Sequence, residues 1–273
     1  MWEMFHFSPG IERDGPIPIG QGDGNALRIV GKQEDAMIPN YDIGPEPEAI
    51  SPEILGLLTR CETATIGHWR LWGFCAPAIR PILPRKRVAG TAVTLALPGP
   101  CSTLLHYAMD RIRPGDILLI DRLGDRRHAC WGGGVTCAFK AAGGVAAVID
   151  GACTDEAEIA QSDLPVWCRG VSAVTTRQYG LGGRLNRPIS VGGAVVQPGD
   201  AVLCDSSGVL VLPPDEAESE ARRALAFQEQ GKAVEAGLAR GDSLPELSGA
   251  TARVEEALRA AAREKAALSG GPR

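Results

Sequence analysis

"WGGGVTCAFKAAGGVAAVIDGACTDEAEI", residues 131–159, places a glycine turn, a short helix pattern, an apolar strand and a cluster of carboxylates in direct succession. The glycines Gly132, Gly133 and Gly134 precede the helix, where free backbone N–H groups and the helix dipole favour an anion. Their spacing matches neither a dinucleotide-binding fingerprint nor a P-loop, and a tight strand-to-helix turn accounts for them equally well. The apolar run that begins at Val145 and closes with Val148 and Ile149 reads as a buried strand. Beyond it stand Asp150, Asp155, Glu156 and Glu158. Two readings of these acids stay open. Asp155 and Glu158 stand three apart, so they could form a capping box. Alternatively, Asp155 sits at the carboxyl end of a strand, where open α/β sheets bind ligands, and a carboxylate completed by water is how Mg²⁺ is held.

The flanking sequence extends this alternation. Upstream, "SPEILGLLTRCETATIGHW" starts as a helix with Ser51 as N-cap and Glu53 in the first turn, and "VAGTAVTLAL" reads as a strand. In "STLLHYAMDRIRPGD", Leu104, Leu105, Ala108, Met109 and Ile112 follow helical spacing up to Pro114-Gly115, and "DILLID" is the next strand. Downstream, "LPVWCRGVSAV" is a strand, and "ISVGGAVVQPGDAVLCDSSGVLVLP" holds three short apolar runs separated by turn residues at hairpin spacing. The class is therefore α/β, with an antiparallel portion joined to the α/β units.

Three sections follow from composition. Residues 1–48, rich in Gly, Pro and acids, read as an extended N-terminal arm, residues 49–213 as the α/β domain, and residues 214–273 as a C-terminal helical segment. Pro precedes the first of those C-terminal helices, acids fill its first turns and Gly follows its end.

The chain of 273 residues carries a net charge of −5, which argues against electrostatic binding of nucleic acid. No apolar run approaches the ~18 residues of a membrane span, and the N-terminus lacks a basic and apolar leader, so a cytoplasmic protein is expected. The 8 cysteines form no CxxC pair and several lie in apolar runs, which suits buried free thiols.

A further candidate segment is "DRLGDRRHAC", residues 121–130. Arg122, Asp125, Arg126, Arg127 and His128 crowd this loop, where guanidinium groups could clamp a carboxylate and His128 could act as a general base. His6, His68 and His106 show no spacing that pairs with it. A Gly-x-Ser-x-Gly elbow, HExxH, an EF-hand loop and RNA-binding signatures are all absent.

In this order, "VAGTAVTLAL", "RPGDILLID", "WGGGVTCAFKAAGGVAAVIDGACTDEAEI", "LPVWCRGV" and "VGGAVVQPGDAVLCDSSGVLVLP" resemble the family of class II 4-hydroxy-4-methyl-2-oxoglutarate aldolases and the regulator of ribonuclease activity A. The resemblance implies an RraA-like α/β/α swivelling domain with a mixed sheet, a homotrimer or homohexamer, and Mg²⁺ or Mn²⁺ at each subunit interface. In such aldolases an acidic residue precedes an Arg-Asp pair by twenty intervening residues. The Arg binds the substrate carboxylate, the Asp holds the metal, and amides of the glycine turn bind the pyruvate portion. Carried over, Asp155 is the metal ligand, Thr154 and Asp155 are the candidate catalytic positions, and Gly132, Gly133, Gly134 and Val135 line the substrate. Thr154 stands in the Arg position and Gly133 in the acidic one. Loss of a charge-assisted clamp costs about 2–4 kcal/mol, so either another Arg, with Arg126 and Arg127 the candidates, replaces it, or the substrate differs, or the chain is no longer an aldolase.

The function expected on this basis is a metal-dependent lyase of aldolase or decarboxylase type acting on a small 2-oxo or polycarboxylic acid. A non-catalytic binding protein, or an isomerase or hydrolase on the same fold, is the alternative. No nucleic-acid or membrane partner is expected.

Overall fold

The computed structural model describes residues 40–83 and 86–269. The expected arm lies outside the described residues as far as residue 39. Its last part forms strand β1 (Tyr41–Ile43), followed by α1 (Pro52–Leu58), α2 (Thr63–Ile66) and β2 (Arg80–Pro81). Then come β3 (Val88–Ala96), α3 (Thr103–Ala108), β4 (Asp116–Asp121), α4 (Gly133–Ala141), β5 (Ala146–Asp150), β6 (Ala152–Cys153), α5 (Glu156–Ser162) and β7 (Val166–Cys168). Short strands β8 (Gly170–Val171) and β9 (Gly183–Leu185) lead to hairpins β10 (Ile189–Val191)–β11 (Ala194–Val196) and β12 (Ala201–Cys204)–β13 (Val209–Leu212). Helices α6 (Pro214–Ala239), α7 (Leu244–Leu247) and α8 (Ala250–Ser269) follow.

Strands β3, β4, β5 and β7 lie side by side and parallel, with the order β1-β9-β3-β4-β5-β7-β2 across the sheet. The far edge of β3 is shared between antiparallel partners: its first half pairs with β12 and its end with β9. The sheet is therefore mixed, as expected. Alternation along β4 divides its side chains between two cores. Leu118 and Ile120 join Trp131, Phe139 and Ile159 on the face covered by α3, α4 and α5. Ile117 and Leu119 join Ile189, Val191 and Trp167 on the opposite face, under the β10–β11 hairpin. Such double burial explains why the parallel strands read as continuous apolar runs. A third core joins α1, α2 and α6 to β12–β13 through Leu58, Ile66, Leu203, Leu210, Ala217, Ala221 and Ala224.

Ser51 caps α1 as expected, its Oγ accepting from the Ile54 amide at 3.3 Å. The helix from Thr103 is shorter than its periodicity predicts. It closes at Ala108 and tightens into a 3-10 turn, Met109–Arg111. Pro114 disfavours helical backbone at Arg113, whose amide instead donates to the Asp116 carboxylate at 2.8 Å. All the cysteines are free thiols, and all but Cys137 are buried. Among the described residues, no helix is long and apolar enough to cross a membrane.

At the carboxyl ends of the parallel strands, Asp121 and Asp150 stand opposite each other in register. Both hold the β10–β11 hairpin. Asp121 accepts from the Ser190 amide at 3.5 Å and Asp150 from the Gly192 amide at 2.7 Å. Asp150 also takes the Arg169 Nε–H, with Arg126 3.9 Å away. Burial raises the Asp150 pKa, but these donors and charges outweigh it and hold the carboxyl below its ordinary value. Its stabilisation is thus complete above the unfolded carboxylate pKa of ~4 and is lost as pH falls through the lower folded value. Asp150→Asn is expected to lower unfolding free energy at pH 7 by about 2 kcal/mol. Denaturant titrations at pH 7 and pH 3 check this, since the deficit should shrink in acid. An equal deficit at both would mean that the charge contributes nothing.

Candidate functional site

The glycine turn is fastened from both sides. Trp131 bridges to Cys153, its carbonyl accepting from the Thr154 amide at 2.8 Å. Its buried indole donates to Thr136 Oγ1 at 2.9 Å and meets Phe139 edge-on. The chain from β5 to α5 is thereby laid against the N-terminus of α4.

Asp155 does not cap its own helix. It occupies the N-cap position of α5 in the left-handed region (φ 55°, ψ 42°) and makes no side-chain cap hydrogen bond. Its Oδ2 accepts instead from the Gly133 amide at 3.0 Å, and its Oδ1 from the Thr154 hydroxyl at 3.2 Å. The capping-box reading is therefore corrected. Asp tolerates left-handed backbone better than most residues, and the turn aims its carboxylate at the neighbouring helix.

This approach uses the space left open at two glycines. A Cβ on Gly132 would lie 2.5 Å from Asp155 Oδ2, and one on Gly133 would lie 1.7 Å from Glu158 Oε2. A Cβ on Gly134 would meet nothing within 4 Å. The amides of Gly134 and Val135 precede the first helical hydrogen bond, which Thr136 N donates to Gly132 O at 3.0 Å. A helix N-terminus with open amides and adjacent carboxylates is thus presented at an exposed surface. Behind it, the buried thiols of Cys153 and Cys168 stand 3.2 Å apart. The contact with Cys168, together with burial, pushes the Cys153 pKa up.

The 121–130 loop serves other partners. Arg126, largely exposed, reaches toward Asp150, whereas the exposed Arg127 gives its backbone carbonyl to the Ser172 hydroxyl at 2.6 Å. Arg122 is fully buried; its guanidinium donates to Gly99 O, and its Nε has no partner among the described residues. Asp125 organises the loop, accepting from the amides of Arg127 (2.8 Å) and His128 (2.9 Å) and pairing with His128 Nδ1 (2.7 Å). Burial opposes its charge, but the bonds to His128 and Arg127 win and hold its carboxyl below the ordinary value. The partner of His128 is not a histidine but Asp125, three residues earlier in the sequence. A separate cavity of 570 Å³ at the ends of β3 and β4 is lined by residues including Asp42, Pro98, Asp121, Leu123 and Arg184. Among the described residues, no three His, Cys, Asp or Glu side chains converge as a ready-made metal cage.

Comparison with known proteins points in one direction. A Halalkalibacterium halodurans protein, provisionally named a 4-hydroxy-4-methyl-2-oxoglutarate aldolase, is 32% identical over 157 residues, covering 58% of this chain and 74% of its own. The fold matches that of an uncharacterized Pseudomonas syringae protein with a TM-score of 0.64 at 23% identity, over 76% of this chain and 98% of the other. Streptomyces coelicolor RraAS2, described as an unusual member of the RNase ES inhibitor RraA family, aligns with a TM-score of 0.61 at 25% identity, over 68% of this chain and 97% of its own. The RraA-like (Aldolase/RraA) family model matches residues 69–211, more than half of the sequence, and the chain belongs to that family.

Proposed function

We propose that this chain is a divalent-metal-dependent carbon–carbon lyase, of aldolase or decarboxylase type, acting on a small 2-oxo or polycarboxylic acid. The observation that carries the reading is the Asp155 carboxylate, turned away from its own helix and oriented by Gly133 N–H and Thr154 Oγ. The site fits Mg²⁺ or Mn²⁺. Its donors are carboxylate oxygens at an exposed surface, and Gly132 and Gly133 leave a cradle that a Cβ would fill. Mg²⁺ asks for no more than one or two carboxylates, with water completing its shell. Bound there, the ion would polarise the 2-oxo group of the substrate and stabilise the charge left by bond cleavage.

The chain's own residues would do the remainder. Gly133 N–H and Thr154 Oγ fix the rotamer of Asp155, while the amides of Gly134 and Val135 are available to a substrate carboxylate. Thr154 offers a hydroxyl where a guanidinium would clamp that carboxylate in two places. Arg126 and Arg127 are the exposed cations of the preceding loop, and Arg126 must leave Asp150 to contribute. We take the site to be shared between subunits of a homotrimer or homohexamer. Support comes from Leu71, Trp72 and Val195, which are 87%, 63% and 67% exposed and border one 760 Å³ cavity. The second reading, a non-catalytic binding protein, is favoured by the missing guanidinium at Thr154.

Calorimetric titration with Mn²⁺ tests the site. Wild type is expected to bind and Asp155→Ala to lose binding; equal affinity would leave Asp155 a structural residue. Mg²⁺-dependent pyruvate release from substituted 2-oxoglutarates and oxaloacetate tests the chemistry. Wild type is expected to be slow, by ~10²-fold relative to Thr154→Arg, because poor positioning of reacting groups costs about that much. Strong wild-type activity that survives Arg126→Ala/Arg127→Ala would refute the missing-clamp account, and inactivity of every variant would favour the binding protein. Light scattering at micromolar concentration should give a trimer or hexamer, and a monomer would remove the shared site.

A further inference from the structure

The α5 helix brings a second carboxylate to the glycine turn. Glu158, one turn beyond Asp155, bends back so that its Oε2 occupies the space where a side chain on Gly133 would begin. The same virtual Cβ would lie 2.8 Å from Glu158 Cδ and 3.0 Å from its Cβ, so rotating the carboxylate away would not fully clear it. Gly132 faces Asp155 in the same manner. Consecutive glycines thus seat carboxylates that are three residues apart.

Capping of α4 does not account for this second seat. The Gly133 amide is already taken by Asp155, and among the described residues no protein group donates a hydrogen bond to the Glu158 carboxylate. Helix periodicity does not require the contact either, because Glu158 is an exposed first-turn residue. Holding two carboxylates against one helix N-terminus sets like charges together, and the helix dipole offsets only part of that repulsion. A divalent cation seated there would offset the rest.

We infer that Glu158 is the second acidic group of the cation site, delivered from α5 into the space that Gly133 leaves open, where it binds the ion directly or through one of its waters. This rests on the reading that Asp155 holds a divalent metal. It adds a residue that the Arg-Asp pattern does not name, and it explains why position 133 has no side chain. Two carboxylates and water-filled positions also match the preference of Mg²⁺ and Mn²⁺ for oxygen donors.

The experiment is calorimetric and electron-paramagnetic titration of the full chain with Mn²⁺, with thermal melts to confirm folding. Glu158→Gln keeps the shape and removes the charge, and should weaken Mn²⁺ affinity 10- to 100-fold. The double variant Gly133→Glu/Glu158→Ala returns a carboxylate to the same space from the other helix and should recover affinity to within several-fold of wild type. Wild-type affinity in Glu158→Gln, alongside loss in Asp155→Ala, would overturn the role of Glu158 while leaving the metal reading intact. No Mn²⁺ binding by wild type would overturn both. A folded double variant that binds as weakly as Glu158→Gln would overturn the shared-space account.

Discussion

Two absent side chains set the distance between α4 and α5, and the arrangement of the acidic cluster follows from that distance. A Cβ at position 132 would crowd Asp155 Oδ2, and one at position 133 would displace the Glu158 carboxylate. Crowding at position 132 would press on the carboxylate that accepts the Gly133 N–H, the contact that helps offset the cost of the left-handed turn at Asp155. Both segments can meet because Trp131 and Cys153 are bridged immediately before them and Thr154 N binds Trp131 O. The glycines therefore act as spacers between two helix ends, as well as making a turn.

The architecture was legible wherever burial imposes a period. β3, β4 and β5 fall where their apolar runs predicted, because parallel strands covered on both faces leave few polar positions to confuse the pattern. The Gly-Gly and Asp-Ser-Ser-Gly signals likewise mark the hairpins β10–β11 and β12–β13. Less legible was anything decided by a competing partner. Helix α3 stops early because the Arg113 amide prefers the Asp116 carboxylate, a choice that spacing alone does not encode. Asp155 and Glu158 satisfy the capping-box spacing, yet Asp155 finds a donor on another helix, 22 residues away in sequence. The Asp125–His128 pair was a local signal that could have been read, since a carboxylate three residues before a histidine in a tight loop has little room to point elsewhere.

The acids that looked like one cluster divide by task. Asp150 belongs to the scaffold: with Asp121 beside it, the residue ties the β10–β11 hairpin across the ends of the parallel strands and takes Arg169 as its counter-ion. Arg126 leans toward the same carboxylate, so this loop cation is drawn to the scaffold side. Asp155 and Glu158 lie on the other side of the Gly151 bend against α4, with Thr154 rather than a guanidinium between strand and helix.

That division leaves a charge imbalance at the glycine turn, and the imbalance is the physical reason to expect a cation there. Near α4's first turn, Asp155 and Glu158 each bring a full negative charge, while the helix end returns about half a positive charge and donates one amide to Asp155. A 2-oxo acid would add a further carboxylate. In a family member with a guanidinium at the position of Thr154, part of this charge would be met by the protein. Here no salt bridge to Asp155 or Glu158 is present among the described residues. On the proposed reading, a seated divalent ion would ease the approach of an anionic substrate to the Gly134 and Val135 amides. Were the proposed ion bound, metal and substrate binding would be interdependent, because each carboxylate would favour the ion and the ion in turn would make the anion tolerable.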